Sequence, residues 1–528
     1  MSTTTLRRAG AREWGGLAVL SMPTVLLGLD VTVLYLALPS LAADLRPSGT
    51  EELWIMDAYG FLIAGFLITM GTLGDRIGRR RLLMIGAAAF GIVSVPAAWS
   101  TSAEMLVAAR AALGIAGATL MPSTLALIGN MFRDERQRSL AIGVWATSFA
   151  LGMALGPVVG GALLNHFWWG SVFLLAVPVA VVLLVAAPLL IPEYRAPHSG
   201  RFDLLSAVLS LVAILPVIYA VKRFAKDGPD VATIGGAVIG VVFAVVFVKR
   251  QGRLASPLLD VRLFTDRTFS AALSVLLIGL VGVGGAMLLI TQQLQFVEEL
   301  SPVEAGLWMG PPALMMFLAA IGAPLVARRV PPGIVVAGTL TLSTVGYVLL
   351  SRVDASGGVA QMVIGFGLVY LGLGAIAALG TDLVVAAAPP EKAGSASAMS
   401  ETVQELGLAL GVAILGSLAT AVYRRRVDGE IPAGTPSDVA ETAGDSLAGA
   451  ASSARRLPEG WFETAKEAAT SGLNTAMLVA AVCTLLLAFL SAVVLRHVGV
   501  IGGEEPREDG GAGKADPAEL RGEFHYRQ

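Results

Sequence analysis

Trp14-Gly-Gly-Leu-Ala-Val-Leu-Ser-Met-Pro-Thr-Val-Leu-Leu-Gly-Leu-Asp30-Val-Thr-Val-Leu-Tyr-Leu-Ala-Leu38 is an apolar run interrupted by one carboxylate. About 20 apolar residues suffice for a helix to cross the hydrocarbon of a bilayer, so this stretch places the chain in a membrane. A carboxylate at such depth is costly unless it faces protein or a water-filled cavity, and by default it marks a transport path. Asp57, Glu401 and Glu405 share that setting. The polar, basic start Met1–Glu13 leads directly into the run. That run is longer than a signal-peptide core and lacks a small-residue cleavage site, so it is expected to be retained.

Composition agrees. Of 528 residues 55% are hydrophobic and 14% charged, against roughly 25% charged in soluble domains; mean hydropathy is +0.74. A formal charge of −2 gives a nucleic-acid partner no basic face to use. The single cysteine, Cys483, excludes a disulfide framework and a cysteine metal site. No P-loop, histidine pair at metal spacing or G-x-S-x-G turn occurs, and His166, His198, His497 and His525 sit near span ends or in the tail. The chain is not expected to be an enzyme, and no cofactor, metal or obligate protein partner is implied.

The length criterion predicts fourteen spans, at 14–38, 53–70, 80–99, 104–128, 138–163, 168–191, 203–221, 231–248, 268–292, 303–327, 333–351, 359–380, 393–423 and 472–496. Short loops rich in Lys and Arg stay cytoplasmic. Arg76, Arg79, Arg80 and Arg81 follow span 2, and Arg133, Arg136 and Arg138 follow span 4. Lys249, Arg250, Arg253, Arg262 and Arg267 follow span 8. Both termini are then cytoplasmic, with Lys222, Arg223 and Lys226 left outside against the rule.

The expected fold is all-α: two six-helix halves, 1–192 and 268–500, with spans 7 and 8 inserted at 193–267 and a disordered tail at 501–528. Gly71-Thr-Leu-Gly-Asp75-Arg76 after span 2 is echoed faintly by Gly322-Ala-Pro-Leu-Val-Ala-Arg328-Arg329 after span 10. Two halves around a central cavity is a transporter arrangement. The long outer segment 424–471 is either a tether or a helical lid, with one helix expected from Ser437 through Ala454 and a second from Trp461 to Ala469.

Several pieces carry chemistry. Asp30, ahead of Thr32, is placed to exchange a proton for an arriving cation. Asp57 opens span 2 and reads equally as a second vestibule acid or as a carboxylate favoured by the helix dipole. Arg110 in span 4 cannot release its proton, so it offsets a carboxylate, either Asp30 or Asp57. Gly152, Gly156, Pro157, Gly160 and Gly161 in span 5, with Ser148, leave one helix face nearly bare for close approach of a neighbour. Glu401 and Glu405 lie four apart on one face of span 13. Asp382, after span 12, reads as an interfacial acid. Tyr35, Tyr59, Phe61, Trp145, Phe149, Trp308, Met309, Met315 and Met316 are the rings and thioethers available to a lipophilic cation.

In this order, Leu29-Asp30-Val-Thr32, the Gly71–Arg79 loop, Arg110 and Gly152-Met-Ala-Leu-Gly156-Pro157 resemble the fourteen-span drug:proton antiporters of the major facilitator superfamily, in particular QacA-like exporters of quaternary ammonium compounds. The resemblance implies proton-driven efflux of lipophilic cations from the inner membrane of a bacterium. It implies coupling at Asp30, Asp57, Arg110, Glu401 and Glu405, and a conformational switch at Gly71, Asp75, Arg76, Gly78 and Arg79. The span 5 glycines match the antiporter motif. Membrane lipid is then the surrounding partner. An alternative on the same fold is export of an endogenous antibiotic, metabolite or lipid.

Overall fold

The computed structural model describes residues 9–195, 203–227, 230–254, 257, 261–388, 393–431, 435–458, 460–496 and 498–499. The expected disorder of 501–528 lies outside them. Among the described residues all regular structure is helical. In chain order the α-helices are α1 (Ala11–Leu45), α2 (Gly49–Ile77), α3 (Arg79–Ala98), α4 (Ala103–Gly117), α5 (Leu120–Met131) and α6 (Glu135–His166). Next come α7 (Ser171–Leu174), α8 (Ala176–Leu190), α9 (Leu204–Asp227), α10 (Val231–Gln251) and α11 (Arg267–Gln292). The last are α12 (Pro302–Val326), α13 (Pro332–Leu350), α14 (Val359–Ala386), α15 (Ala393–Gly411), α16 (Ser417–Val427), α17 (Ser437–Asp445), α18 (Leu447–Ser453) and α19 (Trp461–Val494). A π turn, Val412–Gly416, joins α15 to α16.

Helices lie at every expected span. Among the described residues eleven are long and apolar enough to cross a membrane, or twelve when bent α6 is included. The protein is a multi-span helical membrane protein. Helices α2 and α9 fall outside that count; α2 carries Glu51, Glu52, Asp57 and Asp75 along its length.

Helix starts follow local chemistry. Ser48 and Glu51 form a capping box on α2, as Ser301 and Glu304 do on α12, each satisfying free backbone donors of the first turn. Pro157 lies within α6 and has no N–H, so the carbonyl four residues back, Met153, lacks its helical donor. The Thr32 hydroxyl donates to that carbonyl at 3.3 Å. The bend between Ala141–Met153 and Leu155–His166, 40°, sits at this missing bond.

The helices pack in two groups. Within the first, α1 lies along α6 and α2 along α4; within the second, α11 packs on α14 and α15, and α13 on α14 and α19. The groups meet along α6–α12 and α2–α15. Helices α9 and α10 pair with each other, and α9 covers the second seam by touching α2 and α16. Most of α10 is left exposed and apolar, including Val231, Ile234, Val238 and Val242, as a lipid-facing helix should be.

Close approaches between the groups cluster at the end away from the arginine-rich loops. A Cβ at Gly161 would stand 2.7 Å from the Pro302 carbonyl, and one at Gly306 would strike the Pro157 carbonyl. At the arginine-rich end α5 packs on α1, α2, α3 and α6, and makes no comparable contact with α11–α19. The close approaches that join the two groups thus lie at that end, the closed end.

The segment after α16 differs from expectation in its breaks. Ser437 begins α17 without capping it, and the helix stops at Asp445. Ser446 then accepts from the Gly449 N–H and caps α18. Trp461–Ala469 is no separate helix but the first turns of α19. The segment has its own core: Tyr423, Val439, Ala443, Leu447, Ala450, Leu457 and Trp461 bury together. The Tyr423 hydroxyl donates to the Ala443 carbonyl at 2.7 Å and Trp461 Nε1 to the Glu430 carbonyl at 3.1 Å. Arg424 pairs with Asp445. Helix α18 reaches across to touch α1.

Candidate functional site: a buried charge cluster between the two helix groups

Helix α4 carries Arg110 inward with 2% of its surface exposed. Its Nη1 donates to Asp30 Oδ2 at 2.8 Å, its Nε to the Ile55 carbonyl at 3.2 Å, and its guanidinium lies 4.3 Å from the centre of the Tyr59 ring. Arg110 thus chooses Asp30 among its two expected partners. Asp57, two residues beyond Ile55 on α2, is buried as well. An arginine always charged is held here by a carboxylate, a carbonyl and a ring face.

Asp30 lies on the turn of α1 that α6 packs against. Gly28 and Thr32 flank it, and the bare face of α6 lies against that turn. A Cβ on Gly152 would run into the Val25 carbonyl, and one on Gly156 into the Thr32 hydroxyl. Gly160 faces Val33 at 3.2 Å, and Gly161 turns instead toward the start of α12. The span 5 glycines thus dock α6 on the turn that holds Asp30 and carry that contact on to the second group. A small cavity opens beside Asp30, lined by Leu26, Leu29, Val33, Phe173 and Ala176.

The second group supplies Glu405 and Glu401 from α15, both buried. Gly60 of α2 lies against this helix, its Cβ position 3.3 Å from Ala409 and 3.8 Å from the Glu405 carbonyl. Glu405 is near enough to Asp30 and Arg110 for their charges to act on it, and Glu401 feels Glu405 one turn away. Tyr35 is buried within electrostatic reach of Asp57, Arg110, Glu405 and Tyr370 of α14. The Tyr370 hydroxyl donates to Met287 Sδ at 3.2 Å. Beside the glutamates, Ser400 and Thr381 share a hydrogen bond at 3.0 Å, and the Gln404 amide donates to both.

Five residues singled out from sequence, Asp30, Asp57, Arg110, Glu401 and Glu405, therefore lie buried on four helices, α1, α2, α4 and α15. Tyr370, Met287 and Thr381 join them and were missed, because a lone hydroxyl or thioether in an apolar run has no spacing to mark it. Of the expected rings and thioethers, Tyr35, Tyr59, Trp145, Met309 and Met316 are buried. Phe61 instead packs on α9 and α15 residues, and Trp308 and Met315 face outward. Asp382 is exposed.

The expected switch loop is mostly helical, since Gly71, Asp75 and Arg76 form the last turns of α2 and only Gly78 separates it from Arg79 at the start of α3; it stands apart from this cluster. Gly78 adopts φ +115°, a region open to glycine, and Glu193 packs where its Cβ would be. Arg79 N–H donates to the Tyr194 carbonyl at 2.9 Å and its Nη1 to the Pro122 carbonyl at 3.2 Å. Arg80 N–H donates to Glu193 Oε1 at 3.0 Å and its Nη1 to the Ile191 carbonyl at 2.9 Å. The loop is thus tied to the end of α8 and to the α4–α5 segment. Gly71 sits beside Pro122 and Arg76 is exposed; the Asp75 side chain lies outside the described residues.

Comparison with known proteins agrees with this architecture. Residues 20–412 match the model of the Major Facilitator Superfamily. The chain is 43% identical over 499 residues to the multidrug efflux pump LfrA of Mycolicibacterium smegmatis, covering 94% of this chain and 99% of that one. It is 36% identical to the methyl viologen resistance protein SmvA of Salmonella typhimurium, over 85% of this chain and 90% of the other. Among solved structures, an inward-facing bacterial homologue of the lysosomal transporter Spinster superposes with a TM-score of 0.61 at 16% identity, over 92% of this chain and 98% of that one.

Proposed function

The chain belongs to the major facilitator superfamily, as an efflux transporter and not an enzyme, and we propose that it exports lipophilic cations in exchange for protons by alternating access. The observation that carries this reading is the Asp30–Arg110 pair facing Glu405 across the seam between the two helix groups. Carboxylates outnumber the one fixed cation there, so the site carries room for positive charge. Protons fill it when no substrate is bound, and a cation displaces them on arrival. Tyr35, Tyr59 and Tyr370 supply ring faces that attract such a cation. The likeness to a pump named for multidrug efflux and to a protein named for methyl viologen resistance, the latter a dication, supports this cargo.

On this reading the chain has fourteen spans in two six-helix halves, 1–192 and 268–500, with α9–α10 inserted and both termini cytoplasmic. The arginine-rich end then faces the cytoplasm, helices α17 and α18 lie outside, and the cytoplasmic end accepts cargo from within. The halves rock about the cluster, with the Gly71–Arg79 loop and the α6 glycines as the parts that change partners. Ethidium efflux from cells expressing the chain tests this, with and without an uncoupler. Efflux is expected to stop when the proton gradient collapses; efflux that continues unchanged rejects the coupling.

A further inference from the structure

A second anionic cavity lies at the closed end, away from the charge cluster. It measures about 50 Å³ and is bounded by Glu52 and Leu53 of α2, Gln292 at the end of α11, Tyr423 of α16 and Leu447 and Ala448 of α18. That volume holds roughly three or four water-sized groups. Glu52 is 5% exposed, and its Oε1 accepts a hydrogen bond from Gln292 Nε2 at 2.7 Å. The bond joins the two helix groups directly. No lysine or arginine lines the cavity; the nearby Arg424 is engaged by Asp445. Asp30 has Arg110 to balance it, whereas Glu52 shares this cavity with the Gln292 amide, the Thr420 and Ser446 side chains, Tyr423 and aliphatic walls. On α2, Glu52 precedes Asp57 by five residues, about 7.5 Å along the helix and on a different face, so the cavity stands closer to the closed end than the central cluster does.

We propose that this cavity is a second cation site, an exit-side station in which Glu52 receives the quaternary ammonium head of a substrate after it leaves the central cluster. A carboxylate opposite an aromatic side chain, inside apolar walls and with no competing cation, is the chemistry that recognises a trimethylammonium group. Residues of both groups and of α18 line the site, so it is complete only while the end is closed, and it dissolves as the groups part. Release to that side then follows from the same movement that admits protons to Asp57.

This inference rests on the cation-export reading, and its test separates the two. The full chain is reconstituted in proteoliposomes, and benzyltrimethylammonium transport is measured from each face. Glu52→Gln keeps an acceptor for Gln292 but removes the charge. It is expected to raise the half-saturating concentration at the α18-covered face about tenfold, as loss of a charged contact worth about 1.4 kcal/mol would do, with less than about a twofold change at the opposite face. Glu52→Asp should restore most of the affinity. Ala448→Phe, which fills the cavity from α18 and leaves Glu52 intact, should reproduce the one-sided loss. If the wild type transports the probe and both Glu52→Gln and Ala448→Phe match it at both faces, the site is refuted and the central reading stands. If the wild type transports neither this probe nor ethidium, the central reading falls and takes the site with it.

Discussion

Arg110 and Asp30 meet at 2.8 Å inside the protein, the arginine side chain 3% exposed and the aspartate 12%. Breaking a buried pair by removing one partner costs about 3–5 kcal/mol, because the other charge is left uncompensated. Arg110→Ala, which strands Asp30, should therefore lower the melting temperature of the purified protein far more than Asp30→Asn, which still offers Arg110 an oxygen. Asp30→Asn should nonetheless abolish ethidium export while the protein reaches the membrane at its usual level. Equal melting losses, or retained export, would remove the pair from the mechanism.

Glycines on α6 divide into those that touch and those that do not. Gly156 has no room for a Cβ against Thr32, whereas Gly143 has nothing within 4 Å. Gly156→Ala should destabilise by about 1–3 kcal/mol through overpacking and impair efflux. Gly143→Ala should be neutral or stabilising by up to about 1 kcal/mol, since alanine is the better helix former. Thermal melts of the two variants beside the wild type decide this, and matching behaviour would contradict the docking of α6 on α1.

At the switch loop, Gly78→Ala places a side chain at φ +115° and displaces Glu193 from its contact. The left-handed backbone alone costs about 1–2 kcal/mol. The variant is expected to melt lower and to show faster protease cleavage between α2 and α3. A melt indistinguishable from wild type would show that the turn relaxes without strain.

The inserted pair is held at the arginine-rich end by Arg250, whose Nη2 donates to both Asp203 oxygens at 2.9 and 3.0 Å. Burial works against the Asp203 charge, but hydrogen bonds from Arg250 and Ser206 outweigh it and hold the carboxyl below its ordinary value. A carboxyl held low in the folded state stabilises fully above its unfolded value, about pH 4, and less as pH falls through the folded value. The pair is partly solvated, so Asp203→Asn should cost only about 1 kcal/mol at pH 7, and the difference from wild type should shrink as pH falls below about 4. A difference that persists in acid would assign the contact to packing instead of charge.

Much of this was written in the length and polarity of the apolar runs. Fourteen runs lie where helices form, because a helix that satisfies its own backbone is the structure such runs can adopt in lipid. The rare charges inside them marked the cluster for the same reason. Direction around each helix was harder to read. Trp308 and Met315 face outward and Met309 and Met316 inward, since a helix apolar on all sides gives no pattern to orient it. Arg110 could be assigned to Asp30 or Asp57 from depth alone, and only the crossing of α1, α2 and α4 decides. Glu52 escaped notice because an acid in a first turn reads as a partner of the helix dipole. Its cavity is closed in part by α18, a helix whose start depends on the Ser446 cap and not on any apolar run.

The central claim is that one set of buried carboxylates trades protons for cations. Proton release by the purified protein, in weakly buffered solution as tetraphenylphosphonium is added, tests it most directly. The wild type should acidify the solution in proportion to cation bound, and the variant carrying Asp30→Asn, Asp57→Asn, Glu401→Gln and Glu405→Gln should release none. Saturable binding of the cation by the wild type with no proton released would contradict the account.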